Sequence, residues 1–252
     1  MFDYTGLHDT LFLMLYVGVA FLALLAAVYL LFRQRNVFMH EDAPTEPPRF
    51  AHRVRSSLRL RRWTAALLAT MAASHVWWYV IGQWWLTDDW LIRTILVILL
   101  DHATLVPLVM GVLLRMLQDY RRPLWPWLVA QSSVVVFGIV GIDQRSWFYG
   151  YELPHYYQLA VCAVFVVYYI FALRQYGRWL RDNYADLEHK EVWQSLTFAV
   201  VLFAVYSLYT SNMGEMAREY LSQVISIVII GFLVWRVETL EEFKGEDNYN
   251  KN

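Results

Sequence analysis

Cysteine, lysine and charge are the scarce ingredients of this 252-residue chain. Its one cysteine, Cys162, lies inside an apolar run, which excludes an internal disulfide framework and any cysteine-based zinc cluster. The only lysines are Lys190, Lys244 and Lys251, all outside the apolar runs, so a retinal Schiff base within a span is excluded. The 7 histidines are scattered with no HExxH pair, and neither a GxxxxGK nor a GxGxxG phosphate loop occurs. Charged residues make up 17% of the chain, against roughly 25% in a soluble domain. A water-soluble fold is thereby disfavoured before any pattern is read.

Apolar length is what the chain has in abundance. Hydrophobic residues account for 58% and aromatics for 17%, including 12 tryptophans. Seven apolar segments stand out: Leu11–Phe32, Trp63–Leu86, Trp90–Leu114, Leu124–Ile142, Tyr156–Leu173, Val192–Ser211 and Ala217–Arg236. Each approaches the ~20 residues that cross a hydrocarbon layer of roughly 30 Å at 1.5 Å per residue. The pattern predicts an all-α, polytopic bundle of seven transmembrane helices forming one domain over residues 1–244, with a disordered polar tail at 245–252. The first run has no basic leader and is longer than a signal-peptide core, so it is expected to be retained as a helix.

The basic residues orient the bundle. With the N-terminus placed outside, the connections after helices 1, 3 and 5 and the C-terminal tail receive all 21 basic residues except Arg93, Arg145 and Arg218. Cytoplasmic loops are enriched in Lys and Arg. The expectation is therefore an outer N-terminus, a cytoplasmic C-terminus and residence in the inner membrane. Within the first inner loop, Arg49–Arg62 alternates arginine with Phe50, Val54, Leu58 and Leu60. This segment either lies on anionic lipid or a partner, or is a positive-inside stop that extends helix 2. The last helix continues past the lipid boundary through Leu233, Val237, Leu240 and Lys244, with Glu238, Glu241 and Glu242 on other faces.

Ionisable residues at mid-membrane depth carry the most information, because an Asp at the centre of a span costs roughly 2.5–3.5 kcal/mol and normally faces a partner inside the bundle. The deep ones are His75 in helix 2, and Asp101 and His102 in helix 3. His75 lies 13 residues before Asp88 and Asp101 lies 13 after it, so antiparallel helices joined there place the two at equal depth. An imidazole–carboxylate pair is expected. Thr94, Asp101, Thr104 and Leu108 share a stripe, as do Thr70, Ser74 and Trp77 or Trp78, while His102 points about 100° away from Asp101. Pro107 removes a backbone hydrogen bond below Asp101.

A second cluster is aromatic and outer. Trp77, Trp78, Tyr79, Trp84, Trp85 and Trp90 surround one turn, Trp147–Tyr157 fill the next outer connection, and Tyr206, Tyr209 and Tyr220 flank the last. Much of this is an interfacial aromatic belt. With Gln83, Asn212, Glu215 and Arg218 on the same side, it also suits an outward-open pocket floored by His75 and Asp101. The candidate ligand-binding set is His75, Asp101, His102, Thr104, Trp77, Trp78, Tyr209 and Asn212. Gln131, Ser132, Ser133, Gln223 and Ser226 read as interhelical glue, and Ala65, Ala69 and Ala73 as a small-residue packing face.

The segment LRDNYADLEHKEVWQSL, with the continuation of helix 7 into WRVETLEEF, resembles the seven-helix membrane input regions of bacterial membrane-bound transcription regulators and sensor kinases. The departure is that no kinase, LytTR or helix-turn-helix module follows Glu242, so a detached sensing module or the input half of a longer protein is expected. The resemblance implies a non-enzymatic sensor of a small or lipidic ligand, working through cytoplasmic helix extensions on a signalling partner or a second copy. It implies no cofactor and no direct contact with nucleic acid. A proton-coupled carrier using Asp101 and His75 is the main rival. A b-type haem between His75 and His102 is a third reading.

Overall fold

Hydrocarbon offers no water to a backbone amide, so each apolar run must close its hydrogen bonds internally as a helix. The computed structural model describes residues 7–33, 56–83, 88–117, 122–183, 192–209 and 215–240, and among these it contains seven α-helices and no strand. They are α1 Leu7–Phe32, α2 Leu58–Gln83, α3 Trp90–Met116, α4 Trp125–Asp143, α5 Leu153–Asn183, α6 Trp193–Tyr209 and α7 Glu215–Thr239. A π-helical turn, Phe148–Glu152, leads into α5. Six helices are long and apolar enough to cross a membrane, which makes this a multi-pass membrane protein. The seventh of the expected spans is shorter: α6 has 17 residues, about 25 Å of rise.

Helix boundaries agree with the apolar runs to within a few residues at most ends, with three informative differences. α2 begins at Leu58 rather than Trp63, so Arg59, Arg61 and Arg62 belong to the helix itself. α5 continues to Asn183, ten residues past the apolar run, on Arg- and Gln-containing turns that suit helix as well as water does. In the continuation of helix 7, Val237 and Leu240 are fully buried in the core, and Glu241, Glu242 and Lys244 lie outside the described residues. Residues 34–55 and 241–252, including most of the Arg49–Arg62 segment and the expected tail, lie outside the described residues.

The packing order fixes where the polar groups meet. α1 packs on α2 and α7, α2 on α3 and α7, and α3 also touches α4, α5 and α6, which makes it the central helix. α6 meets α7 through Phe198 and Phe232, stacked at 4.0 Å. Large apolar side chains such as Phe21, Val76 and Val164 point outward, as a lipid-facing surface requires. Of the alanine face expected on α2, Ala65 is buried and Ala69 is exposed, and glycines make the close approaches around α4. A Cβ on Gly141 would lie 2.2 Å from the Gly150 Cα, and one on Gly150 would lie 2.2 Å from Ile95 Cδ1. These contacts press the π-helical turn against α4 and α3. α4 ends in a Schellman-type turn, Ser146 N–H bonding the Gly141 carbonyl, with Arg145 in the left-handed region at φ 47°.

Candidate functional site: a carboxylate between two indoles

Asp101 does sit level with the His75 region, but its partners are the neighbours of that histidine. Ser74, Trp77 and Trp78 are spaced i, i+3, i+4 on α2 and so share the face turned to α3. Ser74 Oγ donates to Asp101 Oδ1 at 2.7 Å and Trp77 Nε1 to the same oxygen at 2.9 Å. Trp78 Nε1 donates to Oδ2 at 2.6 Å. Hydrogen bonds to a charged group are worth about 1.5–3 kcal/mol each, so three of them offset the cost of a carboxylate at this depth. Asp101 and Trp77 are half-buried and Trp78 is 38% exposed, so the clamp lies on the flank of the α2–α3 pair rather than at its centre.

The expected His75–Asp101 pair is therefore not formed. His75 is one residue, about 100° of helix rotation, beyond Ser74, and that turn carries its ring toward α1 and α7. Its Nδ1 bonds the Met71 carbonyl at 2.8 Å and its Nε2 lies 3.1 Å from the Gln223 side-chain amide of α7. Tyr16 of α1 donates to the His75 carbonyl at 2.7 Å, its ring 4.5 Å from the imidazole. A carbonyl only accepts, so the proton of the Met71 contact sits on Nδ1, and the Gln223 atom that faces Nε2 is the amide Oε1. Among the described residues no group of three or more His, Cys, Asp or Glu is arranged to hold a metal ion.

The remaining candidates fall elsewhere. His102 bonds the Ile98 carbonyl through Nδ1 at 2.7 Å and lies within electrostatic range of His155 on α5. Thr104 returns its hydroxyl to the Leu100 carbonyl of its own helix at 2.6 Å. Asn212, Trp84 and Trp85 lie outside the described residues, as do the side chains of Tyr209, Gln83, Glu215 and Arg218. Several of the outer aromatics follow one another in contact: Trp90 stacks on Trp147 at 5.6 Å, Trp147 meets Tyr151 at a tilt with centroids 4.5 Å apart, and Tyr151 stacks on His155 at 5.8 Å.

Sequence reasoning missed a second polar node at the arginine-rich end. Arg61 of α2 and Glu238 of α7, 2% and 0% exposed, form an ion pair at 2.8 Å. Arg61 also donates through Nε to Ser56 Oγ at 2.7 Å and through Nη1 to the Arg33 carbonyl at the end of α1. Tyr29 of α1 lies beside Glu238 as well. The signal was present: Arg61 stands in line with Thr64, Leu68 and Met71, at i+3, i+7 and i+10, all of them buried. No protein-family model, curated protein or solved structure matches the chain.

Proposed function

We propose that this protein is a sensor module of the bacterial inner membrane, with its N-terminus outside and its C-terminus cytoplasmic. It takes a small or lipidic ligand at the outer half of α2 and α3 and reports through the cytoplasmic helix ends to a signalling partner or a second copy. The observation that carries this reading is the double tether between α2 and α7. His75–Gln223 joins them at the level of the Asp101 clamp, and Arg61–Glu238 joins them again at the arginine-rich end. The tethers are separated by 14 residues on α2 and 15 on α7, about 21 Å of rigid helix. A displacement of α2 at the clamp is thus passed to the far end of α7 rather than absorbed between them.

The carrier reading gains less from the same geometry. All three donors to Asp101 are a hydroxyl or an indole, neither of which exchanges a proton near neutral pH, so a relay has no next station there. The test uses the full chain in nanodiscs, with Cys162 replaced by Ala and spin labels on Arg62→Cys and Trp235→Cys, both exposed near the arginine-rich end. Asp101→Asn is expected to shift the distance distribution between the labels; an unchanged distribution refutes coupling between the clamp and that end. Proton flux into liposomes that depends on Asp101 would replace the sensor with the carrier.

A further inference from the structure

A groove of about 610 Å³ runs between the last turns of α5 and the start of α6. Three arginines line it, Arg174, Arg178 and Arg181, spaced i, i+4, i+7 and hence on one face of α5. All three are exposed, and none makes an ion pair among the described residues. Between them sits Gly177, where an added Cβ would meet nothing within 4 Å, so the wall is open where a side chain would otherwise fill it. Apolar walls accompany the arginines: Leu180, Val192 and Trp193 stand beside them, and Ile170, Leu173 and Leu196 carry the apolar lining on past Arg174. From Ile170 to Arg181 the groove follows eleven residues of α5, about 16 Å.

Positive-inside placement accounts for arginines at this end of the helix, but not for a concave surface in which three guanidiniums stand over apolar walls that run on beyond them. That combination matches one chemistry: an anionic amphiphile whose phosphate meets planar, bidentate donors while its chain lies against leucine and isoleucine. A free phosphate uses only the arginine end, and a zwitterionic lipid presents an ammonium group to the same three cations. We infer that the α5–α6 groove is a binding site for an anionic phospholipid, with the headgroup phosphate on Arg174, Arg178 and Arg181 and an acyl chain along Ile170, Leu173 and Leu196. The basic end of such a site is worth about fivefold in affinity per arginine, or about a hundredfold for the three.

Native mass spectrometry of the purified full chain tests this by titration with phosphatidylglycerol, phosphatidylcholine or glycerol phosphate. Phosphatidylglycerol is expected to be retained at one site at least about tenfold more tightly than phosphatidylcholine. Replacing Arg174, Arg178 and Arg181 together by Gln should erase that preference, and replacing them by Lys should keep most of it. Gly177→Leu, which fills the groove without touching its charge, should weaken retention. Arg59→Gln with Arg62→Gln, exposed arginines on α2, should leave it unchanged. Equal uptake of both lipids, persistence of the preference in the triple Gln variant with normal circular dichroism, or loss of it in the α2 control overturns the site. Displacement of the lipid by millimolar glycerol phosphate overturns the lipid assignment in favour of a free phosphate.

Discussion

Removing one half of the Arg61–Glu238 pair should cost far more than removing both. The guanidinium donates to Ser56 Oγ, the Arg33 carbonyl and Glu238 Oε1, and the last of these carries charge. Glu238→Ala takes the paired carboxylate away from a cation buried to 2% exposure. Breaking a buried pair in this way costs about 3–5 kcal/mol, which is roughly a few hundred- to a few thousand-fold in the unfolding constant. Replacing the whole node by apolar groups of similar volume, Arg61→Met with Glu238→Leu and Tyr29→Phe, removes the desolvation cost together with the attraction. Such replacements are commonly neutral or stabilising by about 1–4 kcal/mol. Reversible unfolding in mixed micelles, with increasing sodium dodecyl sulfate and circular dichroism as the signal, measures both. The reasoning fails if Glu238→Ala stays within about 0.5 kcal/mol of the parent, or if the triple replacement is as unstable as the single one.

Three further outcomes follow from other parts of the fold. Asp101→Leu should lose no more than about 2 kcal/mol of stability in the same assay, since interhelical hydrogen bonds in membranes are individually modest, and should change the fluorescence of Trp77 and Trp78 as their N–H groups lose an acceptor. Gly141→Ala and Gly150→Val should each destabilise by about 1–3 kcal/mol or more, because backbone or Ile95 must move, while Gly18→Ala, facing open space, should be neutral. In a Cys162→Ala background, a cysteine at Arg178 should react with an impermeant maleimide only from the cytoplasmic side, and one at Gln144 only from the outer side. The reverse pattern would invert the orientation proposed above.

What the sequence made legible follows from which physical quantity each question needs. Helix positions depend on apolar length and backbone satisfaction, both one-dimensional, so seven runs became seven helices with modest shifts at their ends. The depth of Asp101 was equally one-dimensional, since counting from Asp88 placed it against residues 74–78. The rotational phase of α2 was not. Ser74, Trp77 and Trp78 face α3 while His75 faces Tyr16 and Gln223, and a single residue of phase separates the two outcomes. Only the packing of α1 and α7 on the other side of α2 decides between them. Glu238 reads from the sequence only as lying on a face other than that of Leu233, Val237 and Leu240, whereas its partner is the cation that opens the buried stripe of α2 at Arg61. Length and depth are written along the chain; azimuth is set by neighbours distant in it.

The grip of Arg61 on the Arg33 carbonyl brings the exit of α1 and the entry of α2 to one guanidinium, so whatever joins them begins and ends at the same place. The cost of closing a loop grows only logarithmically with its length, about 0.6 kcal/mol for each doubling. A sequence inserted between residues 34 and 55, even a whole folded domain with neighbouring termini, would therefore leave the two helices clasped. A protease cut in the same interval would yield two fragments that stay together through the membrane. The first connection is thus the natural docking port for cargo added to this molecule, by an engineer or by gene fusion.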